Sequence, residues 1–378
     1  MTDRKTALRI GLLGTRGVPA RYGGFETAVE EIGTRLAAAG HDVIVYSRDR
    51  SSNGRYRGMR SVYLPTVRTK YTETLAHGLL SVLHVLVHRC DAVIIFNAAN
   101  APAAMLLHLR RIPYAINVDG LESQRSKWGG AGRAYYRACE RIAVATGDAI
   151  IADSQGIGEY YQNCYNASPV FIPYGAPAIR PSSFERLAEF GLQLRNYHLI
   201  VARFEPENNV ALILRGFTQS RSQTPVVVVG SAPYNSTYTA EVREAASDER
   251  VHLIGPIWDQ ELLDVLYAGS KTYLHGHSVG GTNPSLLRAA GAGAPCVAFD
   301  VRFNREVLGD DAWYFDSPEA LALVLEQIEA MPASAVRQRA EQGRKAVLAA
   351  YDWTDVASRY EALCDRLVEK SRSEASTN

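Results

Sequence analysis

The amino-acid sequence predicts an α/β protein made of two doubly wound domains, and three observations lead to this prediction. The chain has 378 residues, which is more than one typical domain contains. Short β-branched apolar runs alternate with helical patterns along its whole length, as is typical of strands buried on both faces of a parallel sheet. A segment rich in proline and small polar residues divides these runs into two series.

The predicted strands follow the chain in order. The first series is LRIGLL, DVIVYS, AVIIF, YAINV, AIIA and VFIP, and helical stretches such as FETAVEEIGTRLAAAG lie between them. The second series is YHLIVA, PVVVVG, VHLIG, TYLHG, PCVAF and AWYF. The linker PYGAPAIRPSSFERLAEFGL separates them, so we predict domains over residues 1–177 and 178–350. Residues 351–378 are predicted to form a terminal helix that packs back on the first domain and ends in a frayed SRSEASTN tail.

Composition excludes several classes of protein. The formal net charge is only +1, so nothing indicates a general nucleic-acid-binding protein. The five cysteines lack CxxC spacing, which predicts reduced thiols and no structural zinc. The N-terminus has no signal-peptide pattern, and no window reaches the roughly 18 apolar residues that span a bilayer. We therefore expect a cytoplasmic protein.

The stretch GTRGVPARYGGFET, residues 14–27, lies between the first predicted strand and the first predicted helix. It has neither a Lys-Ser/Thr pair after its glycines nor a G-x-G-x-x-G pattern, so both familiar phosphate loops are excluded. Gly23 and Gly24 precede the helix, where free N–H groups and the helix dipole favour an anion, and Arg16 and Arg21 add positive charge. A merely flexible surface loop is the alternative.

A second stretch, HGHSVGGTNPSLLRAAGAGAPCVAFD, covers residues 275–300. The pair Asn283-Pro284 predicts the start of a helix, because asparagine is a good N-cap and proline suits the first turn. The pair Gly280-Gly281 lets the backbone approach a ligand closely, and Thr282 supplies a hydroxyl. A diphosphate fits this place, and a simple capped helix after a strand is the alternative.

A third stretch, VARFEPENN, covers residues 201–209 at the end of the first strand of the second series. Arg203 there can make charged hydrogen bonds to phosphate oxygens. Alternatively, Glu205 and Glu207 hold that arginine in a surface ion pair.

Together, GTRGVPARYGGFET, FEPENN, HSVGGTNPSLL and FNREVLG resemble the bacterial rhamnosyltransferase-type members of glycosyltransferase family 4. The resemblance runs over nearly the whole chain. It implies the GT-B fold, with two Rossmann-like domains and an interdomain cleft, a nucleotide-sugar donor held mainly by the second domain, and an acceptor held mainly by the first. It also implies retention of anomeric configuration without a metal or cofactor, and the sequence contains no Asp-x-Asp. The expected reaction moves L-rhamnose from a dTDP donor onto a saccharide acceptor, lipid-linked, in surface polysaccharide synthesis.

The resemblance also implies roles for individual residues. Gly23 and Gly24 match the paired glycines near the donor phosphates and the reacting centre, and Arg203 matches the arginine that binds the diphosphate. Asp119, at a strand end, is either a residue that contacts a sugar or an ordinary turn aspartate. The predicted catalytic residues are Gly23, Gly24, Asp119 and Arg203. The predicted donor-binding residues are Arg16, Arg203, Asn208, His277, Gly280, Gly281, Thr282, Asn283 and Arg288, and the predicted acceptor-binding residues are Arg21, Tyr22, Phe25 and Glu26.

Two departures from the family pattern leave alternatives open. Many members carry two glutamates eight positions apart, and here those places hold Gly280 and Arg288. Many also carry a lysine shortly after the position of Arg203, where this chain has ENN. We expect Arg203, Arg16 and Arg288 to supply the charge instead. The alternatives are a transferase of another hexose, a nucleotide-sugar epimerase of the same fold, and a non-catalytic nucleotide-sugar-binding protein.

One segment suggests contact with a membrane. Residues 48–60 hold five arginines against one aspartate, and the largely apolar LAHGLLSVLHVLVHR follows at residues 75–89. Either the second segment is a buried core helix, or both form an interfacial patch facing anionic lipid. The second reading predicts peripheral association with the inner face of the cell membrane, as suits a lipid-linked acceptor.

Overall fold

We analysed a computed structural model, which describes residues 6–20, 23–66, 73–118, 120–124, 129–231 and 236–377. The chain divides into two compact units. The first takes the described residues up to Ser123, those from 129 to Tyr174, and those from Trp353 onward, and the second takes Gln124 and the described residues of Gly175–Asp352. The division at Tyr174 lies three residues before the predicted boundary at 177.

The first unit is built around one sheet. Its strands are β1 (Arg9–Leu13), β2 (Asp42–Ser47), β3 (Gly54–Tyr56), β4 (Met59–Tyr63), β5 (Ala92–Phe96), β6 (Tyr114–Asn117), β7 (Ala149–Ala152) and β8 (Val170–Phe171). The connecting helices are α1 (Gly24–Ala38), α2 (Glu73–Val87), α3 (Ala101–Leu109), α4 (Gly130–Thr146) and α5 (Gln155–Tyr165). The strand order is β3-β4-β2-β1-β5-β6-β7-β8, and of these pairings only β3 with β4 is antiparallel.

Helices α1 and α2 lie on opposite faces of this sheet. Val82 of α2 belongs to the same buried cluster as Leu13, whereas a Cβ placed on Gly33 of α1 would lie 3.2 Å from the side chain of Leu12. Because consecutive side chains of a strand point to opposite faces, these two contacts fall on different sides of β1.

The second unit has a fully parallel sheet. Its strands are β9 (His198–Val201), β10 (Val226–Val229), β11 (Val251–Gly255), β12 (Thr272–His275), β13 (Cys296–Phe299) and β14 (Trp313–Phe315), in the order β11-β10-β9-β12-β13-β14. Its helices are α6 (Val210–Gln219), α7 (Ser236–Ala245), α8 (Gln260–Gly269), α9 (Pro284–Gly291), α10 (Arg302–Leu308), α11 (Pro318–Ala330) and α12 (Ala333–Ala350). The predicted class, two doubly wound α/β sheets, is confirmed.

The terminal helix α13 (Trp353–Thr377) belongs to the first unit, where it packs on α1. The hydroxyl of Tyr360 accepts a hydrogen bond of 2.7 Å from the amide of buried Asn117, and Glu361 lies 3.3 Å from the ring of His41. The helix continues through 371–377, which the sequence predicted as a frayed tail. No glycine or proline interrupts this segment, so nothing stops the helix there.

Candidate functional site

In each sheet the strand order changes direction at one point, and ligands of doubly wound sheets bind outside the carboxyl ends of the strands at that point. In the first unit this change lies between β1 and β5, so the loop after β1 lies at the position where a ligand is expected. In the second unit it falls between β9 and β12, which places there the loops that follow Val201 and His275. These are the three stretches that the sequence singled out.

The loop after β1 packs tightly on its neighbouring strand ends. Gly14 and Gly17 have φ values of 99° and 97°, a region that favours glycine. A Cβ on Gly14 would lie 2.1 Å from the carbonyl oxygen of Phe96, and one on Gly17 would lie 2.5 Å from the Cβ of Ser47. The loop is therefore held against β5 and β2, which argues against a merely flexible surface loop.

Two carboxylates of α1 fix the main chain of this loop. Glu26 accepts a hydrogen bond of 2.9 Å from the N–H of Arg16, and Glu30 accepts one of 2.7 Å from the N–H of Ala20. Glu26 is buried, and that burial raises the pKa of its carboxyl. Glu26 thus positions the loop, and its predicted direct contact with an acceptor stays a prediction.

A charged cluster that the sequence analysis missed lies beside this loop. Glu73, at the start of α2, is 3.6 Å from the guanidinium of Arg16 and 3.5 Å from that of Arg48. Burial lowers the pKa of Arg48, and burial together with Arg48 lowers the pKa of His77 to about 4, so that histidine is neutral at pH 7. The only local sequence feature that indicates this cluster is Arg48, a charged residue directly after the buried strand DVIVYS.

The other predicted residues of the first unit fall into two groups. Gly23 caps α1 with a φ of 110° and Gly24 begins the helix, so free backbone N–H groups lie where the sequence placed them. Phe25 packs edge-to-face on Phe96, with the ring centroids 5.6 Å apart. Arg21, Tyr22 and Asp119 lie outside the described residues, so their roles stay predictions.

Arg203 follows β9, and its side chain is exposed to solvent. The Oε1 atom of Glu207 is buried and has no hydrogen-bond partner within the described part of the chain, which does not favour the alternative in which this carboxylate holds Arg203. The side-chain amide of Asn208, a nearly buried residue, donates a hydrogen bond of 2.8 Å to the carbonyl of Arg203. Asn208 therefore shapes the loop that carries the arginine.

The loop after β12 is fastened to the Arg203 loop. Ser278 donates from its N–H and its hydroxyl to the carbonyl of Glu207, at 2.9 and 3.0 Å. A Cβ on Gly276 would lie 2.3 Å from the carbonyl oxygen of Asn208, so only glycine allows this approach of the two loops. Asn304, from the FNREVLG motif, donates a hydrogen bond of 3.0 Å to the carbonyl of His277.

The predicted helix start at Asn283 is confirmed. Asn283 accepts hydrogen bonds from the N–H and the hydroxyl of Ser285 at 3.0 and 2.7 Å, and α9 begins at Pro284. Before this cap, Gly280 has a φ of 138° and open space where a Cβ would stand, and Thr282 is buried. The first turn of α9 offers no spare N–H group, because Pro284 has none and those of Ser285, Leu286 and Leu287 are bonded to Asn283. An anion would instead approach the glycine pair at the positive end of the helix dipole, on a loop tied to that of Arg203.

Two histidines of this loop stack on each other, with ring centroids 4.4 Å apart. His275 is buried, which lowers its pKa to about 3, and its Nδ1 lies 3.2 Å from the hydroxyl of Tyr273. His275 is therefore a neutral structural residue, whereas His277 is partly exposed at the position predicted to bind a donor.

Arg288 and Arg16, which were expected to supply positive charge, are both paired with carboxylates, and their role toward a donor stays a prediction. Arg288 lies 2.6 Å from the carboxylate of Asp264 on α8, and Arg16 is paired with Glu73. In both cases a neighbouring carboxylate partly compensates the guanidinium charge, although Arg16 is exposed to solvent as Arg203 is.

Two further searches cover only the described residues. No group of three or more His, Cys, Asp or Glu side chains there is arranged to hold a metal ion. No helix in that part of the chain is long and apolar enough to cross a bilayer.

Two protein families match successive parts of the chain. Residues 23–175 match the family described as glycosyl transferase 4-like domain, and residues 189–346 match the family described as glycosyl transferases group 1. The two matches correspond closely to the two compact units.

Two curated proteins show distant similarity. The GtfA subunit of the UDP-N-acetylglucosamine–peptide N-acetylglucosaminyltransferase of Streptococcus gordonii is 24% identical over 188 residues, which are 47% of this chain and 36% of that protein. The O-antigen chain mannosyltransferase B of Escherichia coli is 22% identical over 172 residues, which are 44% of this chain and 45% of that protein. The matches thus span less than half the length of either relative.

Solved structures with the same fold cover nearly the whole chain. Sucrose-phosphate synthase from Thermosynechococcus elongatus has a TM-score of 0.81 at 19% identity, covering 96% of this chain and 100% of that one. The Anabaena protein HepE in complex with UDP-glucose has a TM-score of 0.77 at 14% identity, covering 95% and 100%. At these identities the comparison shows the GT-B fold and nothing finer.

Proposed function

The chain belongs to the group 1 glycosyltransferases with the GT-B fold, and we propose that it transfers a sugar from a nucleotide-sugar donor to a saccharide acceptor. One observation carries this proposal. The exposed Arg203 stands on a loop that Ser278 ties to the glycine-rich start of α9. A guanidinium makes strong charged hydrogen bonds to phosphate oxygens, and the positive end of a helix dipole favours the same anion.

The proposed chemistry follows from where charge develops. Breaking the bond between the sugar and the diphosphate gives the sugar oxocarbenium character, and negative charge grows on the leaving phosphate. Donors already aimed at that phosphate stabilise the transition state more than the ground state. We propose attack by the acceptor hydroxyl from the face that the phosphate leaves, with the phosphate oxygen accepting the proton, so that anomeric configuration is retained.

We further propose that the donor is dTDP-L-rhamnose and that the acceptor is a lipid-linked saccharide of a surface polysaccharide. This finer assignment depends on the four sequence motifs, GTRGVPARYGGFET above all. Similarity to an O-antigen mannosyltransferase supports the acceptor class. Similarity to a peptide N-acetylglucosaminyltransferase subunit does not support a lipid-linked saccharide, and it makes a peptide the main alternative acceptor.

The test is a panel of nucleotide sugars incubated with the full chain and a membrane lipid extract. We expect transfer from dTDP-L-rhamnose and an NMR coupling constant in the product that shows retention. Interconversion of the donor without an acceptor would establish an epimerase, and binding without turnover would establish a non-catalytic protein.

A matched pair of variants tests the site itself. Arg203→Ala should weaken donor binding at least about tenfold, because a charged hydrogen bond to phosphate contributes about 1.5–3 kcal/mol. Arg215→Ala is the control, since this exposed arginine of the same unit pairs with Glu241 at 2.8 Å. Equal donor affinity in both variants would overturn the assignment of the diphosphate site.

A further inference from the structure

Helix α2 presents a row of apolar side chains to solvent. Leu75, Leu79, Leu83 and Val87 are 37%, 42%, 42% and 76% exposed. They follow each other at every fourth position, so they form one stripe along the helix. Val82 and Val85 are buried on the opposite side of the helix. The prediction that this segment is a buried core helix is therefore correct for that side alone.

The neighbouring helix α3, which packs on α2, extends this apolar surface. Met105 and Leu109 are 40% and 73% exposed and again lie four positions apart. The two helices, together with the exposed residues that directly follow each of them, form what we name the α2–α3 face. Soluble proteins rarely leave apolar rows of this extent uncovered, so the face indicates an interaction surface.

Positive charge predominates at one end of this face, where Asp91 is the exposed carboxylate beside Arg89. Both helices lead to the starts of parallel strands, so their C-terminal ends lie at the same edge of the sheet. Arg89, Arg110 and Arg111 are exposed at that edge. The carboxylate that α2 and α3 contribute belongs to Glu73, which is paired with Arg16 and Arg48 at the other end of α2.

We propose that the α2–α3 face binds the surface of a membrane that contains anionic lipid. Leucine side chains enter the boundary between headgroups and acyl chains, and arginines bind lipid phosphates. A second copy of this chain fits the face less well. Two copies joined by a two-fold axis would bury the arginines of both copies, which outnumber the carboxylates of the face.

Several arginines of the segment 48–60 are paired with carboxylates, among them Arg48, which lies 3.5 Å from Glu73 of α2. Arg57 lies 2.9 Å from Glu30 of α1, and Arg60 lies 3.5 Å from Asp42. Arg60 is in register with Ile44, whose side chain belongs to the buried cluster that also contains Val82 of α2, so Arg60 lies on the α2 side of the sheet. The basic segment of the sequence analysis therefore adds paired arginines to this side, and its contact with lipid stays a prediction.

The proposal goes beyond sugar transfer, because vesicle binding needs neither donor nor acceptor. It also gives the opening loop a position relative to lipid. Leu75, at the start of the apolar row, lies two residues from Glu73, whose carboxylate pairs with Arg16 of that loop. A membrane bound along α2 would thus lie next to the loop that the first unit contributes.

The test is flotation of the full chain with vesicles of phosphatidylcholine alone or mixed with phosphatidylglycerol. We expect binding to the mixed vesicles that weakens as ionic strength rises. The double variants Leu79→Glu/Leu83→Glu and Arg110→Glu/Arg111→Glu should each reduce the partition coefficient at least about tenfold.

Controls come from the second unit, where Leu323→Glu and Arg243→Glu change exposed residues of the same types. Both should bind as the wild type does. Thermal unfolding shows whether each variant is folded. Folded face variants that float like the wild type would overturn the proposal, as would no binding to mixed vesicles. A concentration-dependent dimer that Leu79→Glu/Leu83→Glu abolishes, without vesicle binding, would assign the face to a second copy.

Discussion

Replacement of Glu26 by alanine tests whether a buried carboxylate positions the loop after β1. The carboxylate accepts the N–H of Arg16 at 2.9 Å, and no more than 8% of the residue is exposed. In Glu26→Ala that N–H loses its acceptor, and the loop is released from α1 at one of its two fixed points. We therefore expect losses in both stability and transfer.

The magnitude follows from two opposing effects. A hydrogen bond to a charged acceptor contributes about 1.5–3 kcal/mol. Burial raises the pKa of Glu26, so its ionised form carries a desolvation cost that the substitution removes. We expect a net loss of about 1–2 kcal/mol in the free energy of unfolding, which lowers Tm by about 2–8 °C for a unit of this size. Displacement of the loop by about 1 Å would lower the transfer rate roughly a hundredfold.

Three measurements on three variants decide the matter: thermal unfolding, donor affinity and transfer rate. Glu26→Gln keeps a hydrogen-bond acceptor and should retain most of the stability and activity. Glu31→Ala, on the same helix, breaks only an ion pair with Arg35 and should change stability by about 0.3–0.5 kcal/mol. Donor affinity should stay unchanged in all three, because we place the donor in the second unit. Wild-type transfer by folded Glu26→Ala would refute this positioning role.

Three further predictions concern other parts of the molecule. Asn208→Ala should weaken donor binding several-fold with little loss of stability, because it frees the loop of Arg203; an unchanged dissociation constant would contradict this. Gly24→Val should abolish transfer while leaving donor affinity and Tm nearly intact, and equal loss of donor binding would place the donor in the first unit. The pKa of Glu329 is held far below its ordinary value of 4.5 by His198, whose ring lies 3.7 Å away, and by hydrogen bonds from Ser222 and Lys271, so its stabilisation is present above about pH 4.5 and is lost as the pH falls below it. Glu329→Gln should therefore lower the urea midpoint at neutral pH, with the difference shrinking in acid, whereas exposed Glu319→Gln should leave it nearly unchanged.

Much of the fold could be predicted from the sequence because parallel strands buried on both faces read as continuous apolar runs. Each run that the sequence predicted as a strand corresponds to one in the structure. The hairpin of β3 and β4 was missed, since GRY and MRSVY contain arginines and only Met59 and Ser61 are buried. Contacts with α1 and β2 stabilise this hairpin, and the residues of the hairpin alone do not indicate which partners they contact.

The candidate site was predictable where it depends on local geometry and unpredictable where it depends on distant pairing. The start of α9 could be read from Asn283 and Pro284, since a cap needs only adjacent residues. Pairing of Arg288 with Asp264 joins positions 24 residues apart, on two different helices. A sequence alone shows the charge of such an arginine but not the carboxylate that compensates it.

The groups that fix the two sets of loops differ in charge, and this difference argues for where an anionic donor binds. In the first unit the acceptors that hold main-chain N–H groups are the carboxylates of Glu26 and Glu30. In the second unit, neutral amides of Asn208 and Asn304 hold main-chain carbonyls.

A diphosphate next to the first loop would meet a buried negative charge and arginines already paired with a carboxylate, both of which oppose its binding. Next to the second set of loops it would meet neutral anchors, the positive end of the dipole of α9 and the exposed charge of Arg203. The first loop is therefore suited to a neutral hydroxyl-bearing acceptor and the second set to the diphosphate. Replacing Asn208 by aspartate, which adds a negative charge under Arg203, should thus weaken donor binding more than alanine does.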